Sequence, residues 1–151
     1  MATYSFANVT AAITGPGGGF NLGNGAGASE EGISISMVED KDTMTIGADG
    51  SVMHSLHAGK GGTVTVRLLK TSPTNARLQD LYNFQQQSSA NWGNNTIVVR
   101  DPVRGDVATC RQCAFRRQPD LTYAKEGGVV EWSFNAGMID EILGVGTPEI
   151  L

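Results

Sequence analysis

The sequence predicts a mainly β, antiparallel fold with one α-helix. Three observations carry this. Several segments alternate apolar and polar residues with a period of two, which places one face of a strand inward and the other in water. Turn signals, among them Asp49-Gly50, Gly61-Gly62, Asn94-Asn95 and Gly127-Gly128, separate these segments. One stretch alone spaces its apolar residues three and four apart.

In chain order, residues 4–13 form the first strand candidate. Ile33, Ile35 and Met37 then alternate with Ser34 and Ser36. Residues 43–48 and 51–56 flank Asp49-Gly50 and read as a hairpin within residues 39–60. In residues 63–70, Val64, Val66 and Leu68 share one face, and Thr63, Thr65 and Arg67 the other. Ser72-Pro73 supplies an N-cap and a first-turn proline for a helix over residues 73–89, with Leu78, Leu81, Tyr82 and Phe84 at helical spacing. Its polar end, residues 85–89, predicts fraying. Residues 96–101 and 106–117 are further strands. The clearest period of two lies at 129–140, where Val130, Trp132, Phe134, Ala136 and Met138 alternate with Glu131, Ser133, Asn135 and Gly137.

Two segments differ in kind. Residues 14–32 hold eight glycines in 19 positions, and a connection of that length without structure is usually functional or ordered by a partner. Phe20 and Leu22 are apolar side chains in this tract. Residues 144–151 have a similar character and close on Ile150-Leu151. Both read as arms on one domain spanning residues 1–151.

Composition narrows the function. Glycine is 20 of 151 residues, about twice the usual level. Eleven basic against 15 acidic residues give a net charge of -4, which argues against a surface that coats nucleic acid. No apolar run is long enough to span a membrane as a helix. No secretory signal is visible over residues 1–5.

The chemical motifs are weak. Gly23-x-Gly25-x-x-Ala28 matches a permissive dinucleotide fingerprint, yet strand-like residues rather than a helix follow it. Gly59-Lys60 lacks the Ser or Thr and the upstream glycine of a phosphate loop. Cys110-x-x-Cys113 is a single pair, and residues three apart on a strand point to opposite faces, so Cys110 reads as a small core residue. His54-x-x-His57 meets the same geometric objection. Glu39, Asp40 and Asp42 sit beside Lys41 without the closing glutamate of a calcium loop. The basic run Arg111, Arg116 and Arg117 is diluted by Asp106 and Asp120, and reads as a subunit-pairing surface. The sequons at Asn8 and Asn94 matter only in a secreted chain. No nucleophile, base and orienting acid can be assembled from spacing, so no enzyme, cofactor or metal is expected.

Several longer stretches together are more informative: residues 5–6, 14–18, 39–50, 54–60, 69–75, 110–115 and 118–120. Glu39-Asp40-Lys41-Asp42-Thr43-Met44-Thr45-Ile46-Gly47-Ala48-Asp49-Gly50 and His54-Ser55-Leu56-His57-Ala58-Gly59-Lys60 are the longest among them. From Tyr4 to about Gly144 the chain resembles the tail tube proteins of contractile-tailed bacteriophages, the myophages. The resemblance implies a β-sandwich or barrel with one helix, assembled as hexameric rings stacked into the inner tube of the tail. It further implies a virion protein assembled in the host cytoplasm, with its own copies, the tape-measure protein, the sheath and the baseplate as partners. DNA would pass through the lumen without specific binding, in keeping with the negative charge. The candidate subunit and ring contacts are Phe20, Leu22, Asp40, Asp42, Asp49, Gly50, Ile150 and Leu151. The helix is expected on the outer, sheath-facing side. A tube protein of a type VI secretion system or bacteriocin would fit the same pattern. A β-sandwich ligand-binding tail module would need clustered exposed aromatics, whereas Trp92 stands alone in the sequence.

Overall fold

A computed structural model describes residues 3–22 and 28–144 of the chain. Its elements are β1 (Thr10–Gly15), β2 (Gly18–Asn21), β3 (Ala28–Met37), β4 (Asp42–Ile46), β5 (Val52–Leu56), β6 (Gly62–Leu69), α1 (Thr74–Gln85), β7 (Asn95–Asp101), β8 (Asp106–Phe115) and β9 (Val129–Ile142). Seven strands form one antiparallel sheet in the order β2-β1-β7-β8-β9-β6-β3. The remaining two, β4 and β5, pair only with each other. The fold is thus mainly β with one helix, as the alternation predicts.

One apolar cluster forms the core. Ile13 of β1, Ile97 of β7, Phe134 of β9 and Val66 of β6 are fully buried in it, and Ile33 and Ile35 of edge strand β3 pack against it. Helix α1 adds Leu78 and Leu81. Phe115 lies at the centre of the aromatic packing, with ring centroids 4.8 Å from Phe134, 5.5 Å from Tyr82 and 5.9 Å from Trp132. Edge-on and tilted contacts of this kind add about 0.5–1.5 kcal/mol each beyond area burial. Trp92 belongs to the same group at 6.1 Å from Tyr82, so it is not isolated as the sequence suggests.

Four expectations need correction. Residues 4–13 are not one strand: Ser5 Oγ accepts from the Ala7 amide at 3.2 Å and starts a 3-10 turn over Phe6–Asn8, so β1 begins only at Thr10. The glycine-rich tract is not an unstructured arm from its start. Gly17 (φ 102°) and Gly18 (φ 144°) turn the chain from β1 into β2, and Leu22 is fully buried in the core. Phe84 of α1 stays 45% exposed rather than joining the core. The helix ends at Gln85, where the polar residues 85–89 predict fraying, and Ser89–Asn91 forms a separate 3-10 turn. At its start the cap position falls on Pro73, one residue beyond the expected Ser72, although Ser72 Oγ still accepts from the Thr74 amide at 3.3 Å.

The fourth correction concerns the period of two itself. In β9, Val130, Trp132, Phe134 and Ala136 are buried as expected, but Met138 is exposed and Ile139 is buried. The phase changes at Gly137, which lies beside Gln112 of β8, a residue in the left-handed region at φ 54°. A β-carbon on Gly137 would come within 3.1 Å of Gln112 Cβ. Across the same place, β7 advances from Asn95 to Ile97 while β8 runs from Cys113 back to Cys110, one residue more. This bulge turns both Cys110 and Cys113 inward, and both are fully buried. Sequence spacing alone sends them to opposite faces because it assumes an unbroken strand.

Candidate assembly surface

The most unusual surface is the β4–β5 hairpin. Its register pairs Asp42 with Leu56, Met44 with His54 and Ile46 with Val52. Cross-strand partners share a face, so Asp42, Met44, Ile46, Val52, His54 and Leu56 all project to one side. Four of these six are apolar, yet Met44, Ile46, Val52 and Leu56 are 55, 61, 54 and 80% exposed. On the opposite face stand Thr43, Thr45, Met53 and Ser55. The β-forming residues that make this hairpin thus have no core of their own to cover. An exposed apolar face on a two-stranded ribbon, which is marginal by itself in water, is the signature of a surface completed by association.

The hairpin is nevertheless well fixed at both ends. At the tip, the Gly47 amide donates to Ser51 O at 2.7 Å and Gly50 (φ 87°) donates to Gly47 O at 3.0 Å. Asp49 Oδ1 accepts from the Ser51 amide at 3.0 Å. That backbone bond, with help from the Ser51 hydroxyl, holds the Asp49 carboxyl below its usual range. Within the ribbon, Asp42 Oδ2 lies 2.9 Å from His54 Nδ1, and Thr43 Oγ1 lies 2.7 Å from His57 Nε2. At the root, Val38 donates to Gly61 O at 3.1 Å and Ile139 donates to Lys60 O at 2.9 Å. Asp140 receives Lys60 Nζ at 3.2 Å and Arg111 Nη1 at 3.5 Å. The two histidines therefore serve opposite faces of the ribbon, as their spacing implies.

The structure brings Asp40, Asp42, Asp49 and Gly50 together on this hairpin or its approach. Phe20 lies apart from them on β2, partly buried against the core. Leu22, being a core residue, offers no side chain to a partner and drops out of the contact set. Ile150 and Leu151 lie outside the described residues, as do Gly23 and Gly25; Ala28 opens a strand, not the helix a dinucleotide fingerprint requires. What sequence reasoning missed is the apolar face itself. Its signal was present in the alternation of residues 43–48 and 51–56, but alternation is normally read as a strand over a core.

Other surfaces carry less. Cys110 and Cys113 are raised to about 11 and about 12, chiefly by burial, and are inert as nucleophiles near neutral pH. Among the described residues, no group of three His, Cys, Asp or Glu side chains is placed to hold a metal ion. No described helix is long and apolar enough to cross a membrane. A cavity of about 260 Å³ opens beside Phe6, Ile33, Ile35 and Val107, with Arg100, Asp101 and Glu141 at its rim.

The fold is a seven-stranded antiparallel sheet with one helix and a separate two-stranded hairpin whose apolar face is exposed. The chain belongs to the bacteriophage PhiTE tail tube protein family, whose model matches residues 1–144. No curated protein sequence matches it significantly. Among solved structures it is similar to the sheath/tube terminator of an extracellular contractile injection system (PVC), at TM-score 0.59 and 13% identity over 94% of this chain and 98% of that one. It is also similar to a chain of the PVC sheath–tube complex, at TM-score 0.53 and 11% identity over 88% of each chain. The tube-terminating cap of the anti-feeding prophage gives TM-score 0.53 and 10% identity over 95% of each. At such identities these neighbours support the fold.

Proposed function

We propose that this chain is a structural, non-enzymatic subunit that polymerises as hexameric rings stacked into the inner tube of a contractile bacteriophage tail. Membership of a tail tube family and the tube, sheath and cap neighbours support the reading. The single observation that carries it from this chain's own residues is the apolar face of the β4–β5 hairpin, Met44, Ile46, Val52 and Leu56, left uncovered in the monomer. The tube is a conduit for the genome, and a net charge of -4 disfavours adhesion of phosphate to its wall. Its partners are further copies of itself, the tape-measure protein, the sheath and the baseplate, and it resides in the virion tail after assembly in the host cytoplasm. Asp40, Asp42, Asp49, Gly50 and Phe20 belong to the contact surfaces.

Electron microscopy of the purified chain tests this. Rings or hollow tubes support the proposal, and a dispersed monomer at high concentration contradicts it. The informative change is M44S/I46T/V52T/L56S, which alters only exposed side chains.

A further inference from the structure

The cavity of about 260 Å³ lies where residues of β3, β7, β8 and β9 meet the N-terminal turn. Val9, Ile33, Ile35, Val99 and Val107 line it, together with Tyr4 and Phe6. The Phe6 ring is seated against Gly32, where a β-carbon would stand 3.1 Å from it. This wall is therefore in place without any occupant. Yet Tyr4 stays 60% exposed, and Leu143, which also lines the cavity, 75%. Apolar walls left this bare mark a surface that takes a partner.

The chain itself supplies one at the same place. Just past β9, the Gly144 amide donates to Oδ1 of Asp106, another lining residue, at 2.8 Å. A β-carbon on Gly144 would collide with Arg104 O, so the end of β9 is seated against the β7–β8 turn. Residues 145–151 thus depart from the cavity's own edge. Seven residues reach at most about 23–25 Å, and Gly146 and Pro148 are turn residues suited to reversing their course. The two that follow Glu149 are Ile150 and Leu151. A cavity of about 150 Å³ accepts a benzene-sized group, so this one has room for two branched aliphatic side chains. Charge does not draw the segment in. Asp101 is 3.9 Å from Arg104 and Asp106 holds Gly144, but Glu141 and Arg100 make no ion pair among the described residues, and three acids face one arginine around the cavity. Burial of apolar surface has to carry the contact against the added carboxylate of Glu149.

We propose that residues 145–151 turn back over the end of β9 and place Ile150 and Leu151 in this cavity of their own chain. The contact lies within one copy, so it is tested separately from the self-assembly proposed above.

A disulfide within the full chain tests it. V99C/I150C, oxidised at high dilution, should close into a loop that runs ahead of the reduced monomer on gels, with residues 99 and 150 in one cross-linked peptide. Cys110 and Cys113 are buried and do not compete. A chain that links only between copies, or not at all, overturns the proposal. I150S/L151S gives a second reading that needs no cysteine. Its melting temperature should fall by about 4 °C or more, equally at every protein concentration. An unchanged melt, or a fall seen only where chains associate, contradicts the proposal.

Discussion

Gln85 and Asn95 face one another as a closed pair of amides, each donating to the other. Gln85 Nε2 reaches Asn95 Oδ1 at 2.7 Å, and Asn95 Nδ2 reaches Gln85 Oε1 at 2.8 Å, both side chains being fully buried. Gln85 Nε2 also donates to Pro16 O at 3.0 Å. The last residue of α1 is thereby tied to the start of β7 and to the turn between β1 and β2.

Breaking this pair leaves a buried amide without its partner. Q85L or N95L should each cost about 1–3 kcal/mol, read as a lower urea midpoint with an unchanged slope. G15A should destabilise through the same group, because a β-carbon at Gly15 would collide with Asn95 Oδ1. The double variant Q85L/N95L should lose less than the sum of the singles, since no orphan amide remains.

Gln112 gives a second prediction. At φ 54° it is strained for any residue with a β-branched side chain. Q112V should therefore cost about 1–3 kcal/mol, while Q112G and Q112N should stay close to wild type. Equal stability of Q112V and Q112G in thermal melts would remove the left-handed residue from the account of the bulge.

The buried thiols predict an alkaline limit. Burial raises Cys110 and Cys113 from 9.0 to about 11 and about 12. Folded-state values above the unfolded ones favour the native protein below pH 9, and this contribution declines as pH rises toward 11 and 12. Melting temperature should fall over that window, and less steeply in C110A/C113A, whose lower starting stability reflects the cavities left behind. At pH 8 the native thiols should resist a thiol reagent that labels them in urea.

Much of the scaffold was legible because its strands repeat simple rules. Val64, Val66 and Leu68 in β6, and Val130 to Ala136 in β9, face inward as alternation demands. Leu78 and Leu81 mark the buried stripe of α1. The rest depended on non-local geometry. The bulge at Gln112 inverts the phase that spacing predicts for Met138, Ile139 and Cys113, and no local signal announces it. Leu22 reads as part of an arm because glycines surround it, although a two-glycine turn returns it to the core. Of the assembly surface, Asp49-Gly50 was visible as a turn. The apolar face beside it could be recognised only once β4 and β5 proved to have no layer beneath them.

The hairpin face itself should be separable from folding. M44S/I46T/V52T/L56S should keep the wild-type circular dichroism spectrum and, in urea unfolding, a stability within about 0.5 kcal/mol per substitution, as surface changes usually do. Collapse of the monomer instead would assign the face a role in this chain's own stability.

The most direct measurement is electron microscopy of wild-type protein and of this hairpin variant, side by side at equal concentration. The account predicts stacked rings or tubes for the wild type and only folded monomers or isolated rings for the variant. Tubes of equal length and number from both would contradict it.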